Sequence, residues 1–260
     1  MKISSALAVI LALGACNVSD DDGGDPQDTS DTSDTSDTND TSDGGGLSDA
    51  FDEFGVNVTT YADGDEVVIE TNGHPDHPTP YWGPGHELYI EPTVTTLERM
   101  TPGFIERFTG SYTLRVPMSP EKASSSTATG LGGIGIAVSG SLIFNDEEGG
   151  GQPIDQALAG LDYTGAHTGP QSYHYHLETK AWSDDDDALI GIIADGFFLY
   201  GRKCDSTDDY PDDLDASGGH TSTTQHDASE HYHYHIVNEP YLGFYILFAG
   251  DYQGTPGTVR

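Results

Sequence analysis

The chain has 260 residues and a formal net charge of -35, with 9 Lys+Arg against 44 Asp+Glu. So few cations cannot neutralise a phosphate backbone, which excludes nucleic acid as a partner and favours attraction to cations. The 33 Gly and 14 Pro, set between alternating apolar runs, favour strands and turns over long helices.

The first residues read as a targeting segment. Lys2 is followed by an apolar stretch from Ile3 to Leu13, too short to span a bilayer, that ends in Leu13-Gly14-Ala15-Cys16. This ending resembles a bacterial lipobox, which makes residues 1–15 a lipoprotein signal peptide and Cys16 the lipidated first residue of the mature chain. Asn17 after the cysteine favours outer-membrane over inner-membrane retention. Asn17 to Gly46 holds ten Asp and no Lys or Arg, built around an Asp-Thr-Ser repeat. Such a stretch has nothing to bury and is expected to be a disordered, charge-extended tether, so residues 16–46 form a linker and residues 47–260 the folded domain.

That domain is expected to be all-β, sandwich- or barrel-like, and its length suits one such domain. The predicted strands are Glu66–Glu70, Glu87–Glu91, Ser111–Val116, Ile134–Phe144, Tyr173–Leu177, Leu189–Ile193, Phe197–Tyr200, His231–Val237 and Tyr241–Phe248. Short helices are predicted near Val94–Arg99 and Gln156–Ala159. The only cysteines are Cys16 and Cys204, so the domain is not a disulfide scaffold. Cys204 is a buried small residue, a free thiol or a soft metal ligand.

Within the domain one word occurs twice: Tyr-His-Tyr-His at 173–176 and at 232–235. On a strand, alternation puts His174 and His176 on one face, roughly 7 Å apart, and Tyr173 and Tyr175 on the other. His233 and His235 repeat the arrangement, and His231 extends it. Each word follows a matching leader, Leu161-Asp162-x-x-Gly165-x-His167-Thr168 or Leu214-Asp215-x-x-Gly218-x-His220-Thr221, with a longer gap in the second copy. After each word comes an apolar run with an early glycine, Leu189-Ile190-Gly191-Ile192 and Tyr241-Leu242-Gly243-Phe244.

This pattern reads as two copies of one unit: a Gly-His turn, a His-bearing strand and a buried strand. Pairing them about a pseudo-twofold axis is expected to bring His174, His176, His233 and His235 into one cluster, with His167 and His220 nearby. Imidazole suits copper or zinc, and Asp162 and Asp215 are placed as ligands or as carboxylates holding histidine tautomers. Asp195, in an otherwise apolar run from Leu189 to Tyr200, is either at a turn or a ligand or base facing the cluster. His74 and His77 are candidate extra ligands. Asp184–Asp187 and the acidic 205–215 segment are expected loops, with weak calcium binding open there.

The two words, their Gly-His leaders, Gly132-Gly133-Ile134-Gly135-Ile136-Ala137 running to Leu142-Ile143-Phe144-Asn145, and Ile190-Gly191 followed by Ala194-Asp195-Gly196-Phe197 to Tyr200-Gly201 resemble the YHYH domain family. The resemblance spans roughly Asn72 to Gly250 and implies a shared fold and a histidine-centred site. It implies a cysteine before the first Gly-His leader, where Tyr163 and Thr164 stand here, and Asn-Gly where Ser139-Gly140 stands.

The functional expectation is an envelope lipoprotein that binds copper or zinc, with its membrane partner reached through the Cys16 anchor. The alternatives are a metal-dependent hydrolase or oxidoreductase on the same histidines, with Asp195 as base, and a structural or display module. Whether the histidines line a pocket or close around an ion discriminates among them.

Overall fold

A computed structural model of the chain describes residues 46–260, except 101, 109, 170–171 and 180–185. Residues 1–45, which carry the expected signal peptide, Cys16 and nearly all of the linker, lie outside the described residues. Among the described residues the regular structure is strands and short 3-10 segments, and no helix is long and apolar enough to cross a membrane. The two predicted helices are 3-10 turns, Leu97–Arg99 and Ile154–Gln156.

Thirteen strands lie among the described residues: β1 (Val58–Asp63), β2 (Glu66–Thr71), β3 (Tyr112–Pro117), β4 (Gly135–Ala137), β5 (Leu142–Ile143), β6 (Glu147–Glu148), β7 (Gln152–Pro153), β8 (Ala166–Thr168), β9 (Tyr173–Tyr175), β10 (Leu189–Ile193), β11 (Phe198–Tyr200), β12 (Gly219–Thr224) and β13 (Asp227–His235). They form a three-stranded sheet β1-β2-β3, a two-stranded ribbon β6-β7, and an eight-stranded sheet ordered β12-β13-β11-β10-β4-β5-β9-β8. Val67, Ile69, Leu114 and Val116 of the small sheet share one hydrophobic core with Tyr173, Tyr175, Tyr232 and Tyr234 of the large one. The tyrosine faces of both words are therefore core faces, as the alternation predicts.

Several predicted elements differ. Ile134–Phe144 is a hairpin, because Ser139-Gly140 turns the chain with Gly140 at φ 100°. Glu87–Glu91 and Tyr241–Phe248 make only isolated bridges, among them Thr79 with Tyr89 and Leu177 with Ile246. Each Gly-His leader is a turn that runs straight into a strand, β8 or β12, with Gly165 and Gly218 in the left-handed region at φ 74° and 79°. β1 was not expected, since its burial pattern shows mostly exposed residues.

The duplication is real, but its phase is different from the predicted one. Ile134–Phe144 aligns without a gap on Ile190–Tyr200, so the glycine-led hairpin precedes each word instead of following it. In each copy the hairpin's second strand pairs parallel with the His-bearing strand: β5 with β9 (Leu142↔His174) and β11 with β13 (Tyr200↔His235). That strand then pairs antiparallel with its own leader, His167↔His174 and His220↔His233.

The two copies join antiparallel through β4 and β10, where Ile136 pairs with Ile192. These are equivalent residues, so the pseudo-twofold axis passes between them. Flanking them, Gly135 and Gly191 allow close approach: a Cβ would lie 2.5 Å from the Ile192 carbonyl oxygen and 2.3 Å from that of Ile136, respectively. The axis thus lies at the middle of the sheet. It places β9 and β13 five strand steps apart, roughly 24 Å. The expected single cluster of His174, His176, His233 and His235 is not formed. Strand pairing, not symmetry alone, decides the separation, because each word is tied to its own hairpin and leader.

Candidate metal centres

Each copy builds its own histidine group. His167, His174 and His176 converge near β8 and β9, and His220, His233 and His235 converge with Cys204 near β12 and β13. In each group the candidate ligand atoms all lie within 4.8 Å of one another, and the residues of both groups are buried. The leader histidine sits beside the first histidine of the word because the two are register partners. The second histidine of the word falls on the same face by alternation.

The ring nitrogens are oriented by the backbone. Nδ1 of His174 faces the Ser172 carbonyl at 3.1 Å, and Nδ1 of His233 faces the His231 carbonyl at 3.1 Å. Nδ1 of His176 faces the Asn145 carbonyl at 2.7 Å, and Nδ1 of His235 faces that of Gly201, the equivalent position, at 2.8 Å. A carbonyl only accepts, so Nδ1 carries the proton and donates, and each Nε2 keeps its lone pair aimed into the group. His220 is held by a carboxylate instead: its Nδ1 lies 2.8 Å from Asp213 Oδ1, the carboxylate–histidine support seen around bound metals. Phe144 stacks on His174 with centroids 3.7 Å apart, and the equivalent Tyr200 meets His233 edge-on at 5.4 Å.

Several Nε2 atoms lack partners. Those of His167 and His176 are buried without a hydrogen bond. Nε2 of His233 faces Nε2 of His235 at 3.1 Å. Two imidazole lone pairs at that distance repel unless a proton or cation lies between them. Protons are disfavoured there. Burial pushes His233 down to about 3, with the neighbouring His235 adding to it, and pushes His176 down to about 4, with His167 adding. Burial, then His167 and His176, hold His174 well below its usual value, and burial lowers His235. Neutral imidazoles with free Nε2 are the form in which histidine binds metal.

Each group has one more ligand-type residue. Glu148 Oε1 lies 3.2 Å from His167 Nε2 and 3.3 Å from His176 Nε2, and it has no hydrogen bond of its own. Burial pushes the Glu148 carboxyl up, but His167 and His176 together outweigh it and hold it below its usual range. Burial also raises the Cys204 thiol, yet the Ser206 and Ser222 hydroxyls, at 3.1 and 3.2 Å, outweigh burial and lower it. Sequence reading missed Glu148. The gapless hairpin alignment could have found it, because Glu148 follows Phe144 by the same interval as Cys204 follows Tyr200.

The other predicted residues stand elsewhere. Asp162 and Asp215 support the tyrosines on the opposite face: Tyr173 donates to Asp162 at 2.7 Å and Tyr232 to Asp215 at 3.0 Å. Each also caps its own leader turn, accepting from Thr164 N and from Ser217 N. Asp195 is at the hairpin turn, with Gly196 at φ 94°, and accepts from Tyr234 at 2.6 Å and from the Gln253 and Gly254 amides. Its carboxyl is raised by burial. It thus supports the tyrosine face and is not a base at the histidines; Ser139, its equivalent, contacts Tyr175 at 2.8 Å. His77 bonds Tyr175 at 2.7 Å, and His74 packs edge-on against Trp82; neither joins a group. His231 is partly exposed beside His233. In the acidic loops, Asp186 pairs with Arg202 at 2.7 Å and Asp213 with His220.

The surroundings of the two groups differ. A cavity of about 270 Å³ opens on the first, lined by Leu131, Phe144, Glu148, His167, His174 and His176. At the second, Cys204, His220, His233 and His235 are all buried.

Residues 111–211 match the family model described as YHYH protein. The match takes in the whole first copy and, from the second, its hairpin and Cys204. Comparison with curated proteins and with solved structures gave no match. Residues 111–211 are thus similar to the YHYH family, and the domain around them is built as a duplicated β-unit with buried histidine and histidine–cysteine groups that could hold metal ions.

Proposed function

We propose that this protein is a cell-envelope lipoprotein that binds transition metal ions, copper or zinc, one at each Tyr-His-Tyr-His strand. One observation carries the reading: backbone carbonyls take Nδ1 of the word histidines, Nε2 of His167 and His176 is buried without a hydrogen bond, and Nε2 of His233 and His235 face each other. A purely structural hydrogen-bonded network would satisfy those nitrogens instead, since leaving a buried acceptor unmade costs about 1–3 kcal/mol each. The lipobox at Cys16, the acidic tether and the strongly anionic chain support an anchored protein that concentrates cations at a membrane surface. The cavity at the first group favours a second use of the same site, in which the ion contacts a small substrate or water.

Elemental analysis of the purified mature chain tests the reading. Two equivalents of metal are expected, with His174→Ala and His233→Ala each removing one and the double variant removing both. A metal-free wild type that shows no thermal shift with copper or zinc would sink the proposal.

A further inference from the structure

Resting on the metal-binding reading, we infer that Glu148 and Cys204 are the fourth ligands of their respective sites. The duplication then yields one oxygen-completed centre open to a cavity and one thiolate-completed centre closed to solvent. Three observations carry this.

The first is position. Ile134–Phe144 aligns with Ile190–Tyr200 without a gap, and Glu148 and Cys204 fall at the same place beyond it. The intervening carbonyls of Asn145 and Gly201 do the same work in both copies, fixing Nδ1 of His176 and His235. The carbonyl positions are thus equivalent at Asn145 and Gly201, three residues before Glu148 and Cys204.

The second is distance. A tetrahedral ion with nitrogen and oxygen ligands at about 2.0–2.1 Å has ligand–ligand edges of roughly 3.3–3.4 Å. Glu148 Oε1 stands at 3.2 and 3.3 Å from two imidazole Nε2 atoms. At the second site the His233–His235 edge is 3.1 Å, and Cys204 Sγ lies within 4.8 Å of all three histidine ligand atoms. The third is the lack of alternative partners. Glu148 Oε1, His167 Nε2 and His176 Nε2 are all buried and face one another with no hydrogen bond made.

The consequence is a difference in ion preference and in access. Three imidazoles and a carboxylate suit a borderline divalent cation such as zinc, whereas three imidazoles and a thiolate favour a softer, thiophilic one. The 270 Å³ cavity lets a small oxygen- or nitrogen-donor ligand reach the first ion. The fourth residue differs in exposure as well: the Glu148 side chain is 21% exposed, and Cys204 is 1% exposed. Closed four-ligand sites hold metal for structure, and sites with an accessible position exchange ligands.

Cobalt(II) loading of the full mature chain tests this by spectroscopy. Two ions are expected, with one thiolate-to-cobalt charge-transfer band in the near ultraviolet. Cys204→Ser should remove the band while the first ion stays. Glu148→Gln should leave the band and weaken cobalt at the first site about tenfold or more. Glu148→Cys should add a second thiolate band, which no structural role for Glu148 would produce. Azide should perturb the visible bands of the first ion and leave the thiolate band alone. A second band failing to appear in Glu148→Cys, or unchanged first-site affinity in Glu148→Gln, would overturn the assignment of Glu148. A thiolate band that survives Cys204→Ser, or that responds to azide, would overturn the assignment of the closed site. A chain that takes up no cobalt at either site would remove the underlying metal reading instead.

Discussion

The two halves of the large sheet are built alike and completed differently. Both carry a leader strand, a His-bearing strand and a hairpin, and in both the word histidines give Nδ1 to backbone carbonyls. On the opposite face, the first tyrosine of each word bonds the leader aspartate, and the second meets the hairpin turn residue, Ser139 or Asp195. What changes is the fourth ligand-type residue and the cover: Glu148 beneath a cavity in one half, buried Cys204 in the other. Backbone pairing fixes the three imidazoles, because register and alternation leave no choice. The fourth position lies beyond the paired residues of the hairpin, where the two copies pair differently, Glu148 with Gln152 in the β6-β7 ribbon and Cys204 with Asp209 in an isolated bridge.

The largest expected effect tests whether both halves hold neutral histidines. With their folded values depressed to about 4 and about 3, His176 and His233 contribute stability that is fully present above their unfolded value near 6.5. It is lost as pH falls through the window down to those folded values, since the unfolded chain binds protons that the folded chain refuses. Each buried histidine approaches about 1.4 kcal/mol per pH unit once its unfolded form is protonated, so the two together lose about 3 kcal/mol between pH 6.5 and 5. Urea unfolding of metal-free protein at the two pH values measures it. Glu148 and His167 face His176, and His220, His231, His235 and Cys204 surround His233. A flat profile would mean the groups are not held neutral.

The axis is the next place to press. Gly191→Ala would put a Cβ 2.3 Å from the Ile136 carbonyl oxygen, and Gly135→Ala would put one 2.5 Å from that of Ile192. Both clashes are with backbone, so each variant is expected to lose about 3 kcal/mol. Because the strands they separate join the halves, either substitution should weaken both metal sites together, which metal titration of each variant would read. Loss of one site alone would argue against a shared axis.

A smaller asymmetry is expected on the tyrosine faces. Tyr234→Phe removes a hydrogen bond to the buried Asp195 carboxylate, which charge assistance makes worth about 1.5–3 kcal/mol. Tyr175→Phe removes contacts to the neutral Ser139 and His77, a loss nearer to about 1 kcal/mol. Thermal unfolding of the two variants would rank them. Equal losses would show that the charge on Asp195 does not matter to the fold.

The residues that made the site legible are those whose partners are close in sequence. His174 and His176 share a face because a strand alternates, and the matched leaders made His167 and His220 companions of the two words. The duplication was visible, but setting Leu189–Ile192 against Tyr241–Phe244 put it out of phase. The second of these runs is a turn with isolated bridges. In the sequence, Asp162 and Asp215 read as ligands or as carboxylates holding histidine tautomers, and Asp195 as at a turn or facing the cluster. Nothing local says which sheet face a turn carboxylate meets, and they hold tyrosines. Glu148 carried no motif at all; it became visible only as the counterpart of Cys204.

By itself the sequence determined the all-strand character of the domain, the two faces of each Tyr-His-Tyr-His strand and the existence of two copies, because alternation and repetition are local properties of the chain. Tertiary structure decided that the copies make two sites instead of one. Parallel pairing ties each word to its own hairpin, and the hairpins meet at the centre of the sheet. Long-range strand order therefore carries the two histidine groups to opposite sides of the axis.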